Sequence, residues 1–197
     1  IMVETYIDGI NGNLIFDSGS SSELVLNKTY FRNYKKQGSK TVSGVTGGHQ
    51  SIDMIQVDSL FFGGRSLTNK RADLIDLSRI ENRIKNKVLG FFGLDMIDHY
   101  EFVLDLKKGQ LKLFTLDKRG RRIGGEVSED YDCTQKIEII HNIIFIWAKI
   151  AGKELRFCFD TAAERNMISH TVPKKVIQTI SITGRAKLTG AGSAQSE

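Results

Sequence analysis

Short apolar runs separated by turn residues recur along most of this chain, and their spacing predicts strands. Val3 to Ile10 and Leu14 to Asp17 read as two strands joined at Asn11-Gly12-Asn13, a sequence suited to a tight turn. Leu24 to Leu26 makes a third, shorter strand. Thr41 to Gly48 sets glycines around single apolar residues and predicts a hairpin whose tip buries little. Ile52, Met54, Ile55, Val57 and Leu60 predict a longer, partly exposed strand. At Leu77 the period lengthens: Leu77, Ile80, Ile84 and Val88 fall three or four apart, with Glu81, Arg83 and Lys85 on other faces, which predicts a short amphipathic helix. Val88 to Gly93 then reads as a buried strand entering a tight turn, followed by a helical turn through Leu94 and Ile97. A hairpin of Phe102 to Leu106 with Leu111 to Leu116 around Lys108-Gly109 completes a first unit.

The pattern breaks after residue 116. Asp117 to Gln135 is rich in Arg, Gly, Glu and Asp with almost no apolar period, and reads as an exposed linker. Strands resume with Ile139 to Ile150, a turn at Gly152-Lys153-Glu154, and Leu155 to Asp160. Beyond Pro173, Val176 to Ile182 is expected to be extended. Arg185 to Gly192 supplies a glycine-containing segment like the earlier hairpin. The predicted organisation is a first domain over 1–116, a linker over 117–136 and an incomplete second domain over 137–197, in a mainly all-β fold.

Composition changes this picture little. Apolar residues at 40% and charged residues at 26% describe an ordinary folded protein, and nineteen glycines against one proline favour strands joined by tight turns. A formal charge of +5 favours acidic partners weakly; the cations are dispersed, so no nucleic-acid partner is expected. Cys133 and Cys158 form no disulfide framework, and Cys158, between Phe157 and Phe159, reads as a free buried thiol. The histidines at 49, 99, 141 and 170 lack ligand spacing, so neither a metal nor another cofactor is expected. The apolar run Ile143 to Ile150 is far shorter than a membrane span. No signal peptide is visible and the chain starts at Ile1, as a processed or trimmed product would; a secreted or periplasmic location is slightly favoured over others.

The chemistry lies in a block that occurs twice. Phe16-Asp17-Ser18-Gly19 returns as Phe159-Asp160-Thr161-Ala162, an offset of 143 residues that also relates Ile7 and Gly9 to Ile150 and Gly152, and Thr46-Gly47 to Thr189-Gly190. An aspartate at the end of an apolar strand, followed by a hydroxyl residue and a small one, brings a carboxyl to a turn with backbone amides nearby. Two such turns face to face would hold two carboxyls close enough to share one proton at mildly acidic pH. A water between them could be activated by the charged member while the protonated member polarises a peptide carbonyl.

At Leu14-Ile15-Phe16-Asp17-Ser18-Gly19-Ser20 the chain resembles the aspartic protease superfamily in its retropepsin-like branch, including tandem-domain bacterial aspartyl protease-like proteins. Val88-Leu89-Gly90-Phe91-Phe92-Gly93-Leu94-Asp95 is similar to that family's apolar-apolar-Gly segment leading into a short helix. Phe157-Cys158-Phe159-Asp160-Thr161-Ala162-Ala163 is similar to the active-site turn again, with Ala162 where the family has glycine. The resemblance implies an acid-protease fold of two retropepsin-like β-barrel units with short helices. It implies Asp17 and Asp160 as catalytic residues, supported by Ser18, Gly19, Thr161 and Ala162. It further implies an extended peptide or protein substrate under flaps formed by Val42, Gly44, Val45, Thr46, Gly47 and Gly48 and by Leu188, Thr189 and Gly190. On the 143-residue offset, the counterpart of Leu89-Gly90 falls beyond Glu197, so the chain is expected to be a fragment or to gain the missing strands and helix from a partner. Three readings stay open: an aspartic endopeptidase, an inactive peptide-binding module of the same fold, and a site formed by homodimerisation of the first domain.

Overall fold

The computed structural model describes residues 1–43, 49–124, 131–181 and 183–184, together with the backbone of 188–189 and 195–196. Its centre is one closed, six-stranded mixed β-barrel with short helices. Strands β1 (Met2–Ile7) and β2 (Ile10–Phe16) form a hairpin; β3 (Leu24–Asn27) precedes helix α1 (Lys28–Phe31); β4 (Lys36–Ser43), β5 (His49–Phe62) and β6 (Arg65–Ile75) follow as a meander. Helix α2 (Ser78–Ile84) then leads to β7 (Val88–Phe92). Around the barrel the order is β1-β2-β7-β3-β6-β5, closed by β1 pairing with β5, and β4 extends from the outer edge of β5. Closure leaves most of the barrel without an open edge.

The hairpin turn lies at Asp8-Gly9, not at Asn11-Gly12-Asn13 as expected, because both residues there take positive φ (46° and 80°), the conformation that two-residue hairpins require. Asn11 to Asn13 instead belong to β2. The same two-residue device recurs at Gly63-Gly64, His141-Asn142 and Ala151-Gly152; the last moves the expected turn at 152–154 back by one position. Strand β6 is absent from the sequence reading, since Leu67, Ala72 and Leu74 carry too sparse an apolar alternation among Arg, Asn and Lys. The predicted helix is present and stops at Lys85, whose left-handed backbone (φ 58°) ends it before Val88 enters β7.

Strand β7 threads between β2, to which it is parallel, and β3, to which it is antiparallel. Such a strand is flanked on both sides and reads as continuously apolar. Gly90 sits opposite both Leu14 and Leu26, where an added methyl would run into the Val25 carbonyl. Inside the barrel Phe92 packs against Phe16 and Phe62 with ring centroids 5.1 and 4.6 Å apart, among fully buried Ile7, Leu26 and Leu60. Beneath α2 a polar hub ties three segments: buried Asn27 donates to the Val88 carbonyl and to Glu81, accepts from the amides of Thr29 and Leu77, and Glu81 also accepts from Tyr30.

A 3₁₀ turn over Leu94–Ile97 and the hairpin of β8 (Tyr100–Asp105) with β9 (Gln110–Thr115) follow as expected. Residues 117–124 fold back onto that hairpin. Asp117 caps the amides of Arg119 and Arg121, and Arg122 makes a two-pronged pair with Glu101 at 2.7 and 2.8 Å.

Beyond residue 131 the described residues form no second barrel. They form a three-stranded sheet of β10 (Glu138–Ile140), β11 (Ile143–Ile150) and β12 (Lys153–Cys158), with a two-stranded pairing of β13 (Leu188–Thr189) and β14 (Gln195–Ser196). Ile144 of β11 is buried in the first unit's core. Two expectations fail here. Val176 to Ile182 was expected to be extended, but Pro173 opens helix α3 (Lys174–Ile177) and buries Val176; proline's fixed φ suits the start of a helix. Cys158 is free as expected but exposed, because the alternation of β12 turns Leu155 and Phe157 inward and Cys158 out.

Candidate active site

Asp17 follows directly on β2, and its amide donates to the Phe92 carbonyl at 2.9 Å, so the end of β7 fixes where the turn begins. The Gly93 amide in turn donates to the Glu23 carbonyl at 2.9 Å and holds the far side of the loop. Asp160 lies two residues beyond β12, where the Phe159 amide donates to the Ile144 carbonyl at 2.8 Å. Each aspartate thus extends from a strand whose end is pinned by a neighbour.

The two turns are locked together by four hydrogen bonds that exchange under the 143-residue offset. The Ser18 amide donates to Thr161 Oγ1 and the Thr161 amide to Ser18 Oγ, both at 3.1 Å. Ser18 Oγ donates to the Phe159 carbonyl at 2.6 Å, and Thr161 Oγ1 donates to the Phe16 carbonyl at 2.7 Å. Ser18 is fully buried. Each hydroxyl both donates and accepts, so neither can be lost without stranding a group on the opposite turn.

The carboxyls are not equivalent. Asp17 is half-buried and accepts one amide, that of Gly19, at 3.0 Å. Asp160 is exposed and accepts two, from Ala162 and Ala163, both at 2.9 Å. Burial and the neighbouring Asp160 carboxylate push the Asp17 carboxyl up to about 6, against a smaller opposing pull from the Gly19 amide. Gly19 is where close approach matters: a Cβ there would lie 2.5 Å from Cγ of Asp160 and 2.7 Å from its Oδ2. The Asp160 carboxyl therefore rests on the backbone of the opposite turn, and only glycine leaves room for it. Two carboxyls so placed, one holding its proton up to about pH 6, can hold and polarise a water.

The remaining candidates are less completely placed. Val42 lies on β4 opposite Gln50, in the arms of a β4–β5 hairpin, whereas Gly44, Val45, Thr46, Gly47 and Gly48 lie outside the described residues. Leu188 and Thr189 pair with Ser196 and Gln195, and Gly190 lies outside the described residues. Among the described residues no three His, Cys, Asp or Glu side chains are grouped to hold a metal, and no helix is long and apolar enough to cross a membrane.

Sequence reasoning did not single out the groups around these turns. Ser22 Oγ donates to buried Asp73 at 2.5 Å and Lys40 of β4 pairs with the same carboxylate at 2.7 Å, joining the loop after Asp17 to the hairpin arm. Asn142 donates to Asp95 across the junction of the two parts of the chain at 2.5 Å, and Arg83 pairs with Glu164. In the sequence, Ser22 belongs to the serine run at 20–22, and Asp95 closes the apolar segment that begins at Val88.

No family model and no curated protein sequence matches the chain. Among solved structures it is similar to a retropepsin-like aspartic protease from Rickettsia conorii, at 15% identity and a TM-score of 0.41, covering 57% of this chain and 79% of that one.

Proposed function

We propose that this chain is an aspartic endopeptidase whose two catalytic carboxyls, Asp17 and Asp160, come from one polypeptide. The observation that carries the reading is the reciprocal Ser18–Thr161 lock, which sets two aspartates on matched turns and leaves Asp17 with a carboxyl pushed up to about 6. In the proposed reaction the charged carboxyl takes a proton from a water held between the pair, and the water oxygen bonds to the peptide carbonyl carbon. The protonated carboxyl gives its proton to the carbonyl oxygen. Collapse of the tetrahedral intermediate then breaks the C–N bond as the amide nitrogen is protonated, releasing amine and acid. Substrate would lie extended beneath the β4–β5 hairpin and add backbone hydrogen bonds to it.

Homodimerisation of the first unit is the less favoured arrangement. The buried hydrogen-bonding groups of the Ser18 turn, which a second copy would have to meet, are taken up within the chain by Thr161 and Phe159. The enzyme reading is tested by cleavage of a mixed peptide library from pH 4 to 8, followed by mass spectrometry. The wild-type chain is expected to cut at acidic pH and D17N to lose at least about a thousandfold in kcat/KM. Equal cleavage by D17N, or none by either, would leave the fold without this chemistry.

A further inference from the structure

A cleft of about 200 Å³ opens between the loop that follows Asp17 and the arms of the β4–β5 hairpin. Its walls are Ser21 and Ser22 from the loop, Lys40 and Met54 from the hairpin arms, and Arg71 and Asp73 from β6. Ser22 is five positions from Asp17, so at no more than about 3.6 Å per residue it lies within about 18 Å of that residue, the span of a five-residue extended peptide. The cleft is therefore within reach of a peptide that crosses Asp17 beneath the hairpin.

Two acids, Glu23 and Asp73, and two cations, Lys40 and Arg71, line the cleft, and both acids are already paired. The Asp73 carboxylate is satisfied, by Ser22 at 2.5 Å and Lys40 at 2.7 Å. Glu23, also on the rim, is paired with Lys70. Each acid thus has its own cation. Arg71 is exposed and, among the described residues, its guanidinium has no ion pair. Strand alternation puts Arg71 on the same face of β6 as Asp73, two residues away, and therefore toward the cleft. A free guanidinium fork in a cleft that Met54 and Ser21 also line suits a short carboxylate side chain, which Arg can bind through two parallel hydrogen bonds.

We infer that this cleft is a side-chain subsite selecting aspartate or glutamate in the bound peptide, with Arg71 as the selecting cation. The inference rests on the aspartic endopeptidase reading for its substrate, but charge selection can be measured with or without cleavage. The test uses the full chain and fluorescent peptides that differ only by Glu, Gln or Lys at each position flanking the scissile bond. Both kcat/KM and binding by fluorescence anisotropy are measured for wild type, R71Q and R71E.

At one position the wild type is expected to favour Glu over Lys by about tenfold, R71Q to show no preference, and R71E to favour Lys. Because each comparison is a ratio within one variant, a partial loss of folded protein cancels. High salt should shrink the wild-type ratio. Cleavage with the same ratio in all three variants would overturn the subsite and leave the protease reading intact. Absence of cleavage with Arg71-dependent selective binding would overturn the protease reading and keep the subsite. No binding of any peptide would overturn the subsite.

Discussion

At the scale of single residues, Asp17 ties stability to chemistry. Its carboxyl is pushed up to about 6 in the folded chain from 3.8, so the folded state binds more protons than the unfolded state between those values. Stability from this group is therefore greatest below about pH 4, declines as pH rises through about 6, and is at its lowest above that. D17N removes the cost of burying the charge. It is expected to match the wild type in acid and to be more stable by about 2 kcal/mol above pH 7 in denaturant titrations, while losing cleavage. The same proton predicts that kcat/KM falls as pH rises through about 6, since the protonated Asp17 carboxyl is the proposed proton donor.

Ser18 and Thr161 give a second residue-scale test. S18A and T161V are each expected to cost about 1–3 kcal/mol, and a double-mutant cycle should show coupling of about 1 kcal/mol or more, because each variant strands groups on the partner turn. The two turns were legible in the sequence because each packs its chemistry into consecutive residues after an apolar strand. Asp73, Lys40 and Arg71 were not, because it is the pairing of β6 with β3 and β5, and of β4 with β5, that brings them to the Ser22 loop.

At the scale of elements, β7 decides whether the site exists. It fixes Asp17 through the Phe92 carbonyl and must pass between β2 and β3 at Gly90. G90A is expected to cost roughly 3 kcal/mol or more, since the methyl meets backbone on a strand with no free side to move toward; chemical denaturation measures this. G19A separates geometry from stability. It should fold, displace the Asp160 carboxyl and reduce cleavage at least about a hundredfold, with little change in unfolding midpoint.

Long apolar elements such as β5, β7 and the β8–β9 hairpin were readable from their period. Turn positions were misread where non-glycine residues accept positive φ, as at Asp8 and Ala151. Helix α3 was misread because Val176, Ile177, Ile180 and Ile182 are as apolar as a strand, while Pro173 sets a helical start.

At the scale of the molecule, one closed barrel and one smaller sheet share a single hydrophobic core through Ile144, and the paired turns sit across their junction. The sequence repeat located this junction, since an unbroken offset relates its two sides. It misled about architecture, because equal spacing of a few residues does not require equal pairing of strands, and the described part of 131–196 forms no barrel. The proposed enzyme is a single-chain device, so its specific activity should not change on dilution. The most direct measurement is the rate of peptide cleavage at pH 5 by D160N beside wild type at matched folded concentration. The intrachain pair predicts a loss of about a thousandfold or more in kcat/KM for D160N; cleavage by D160N at the wild-type rate would contradict it.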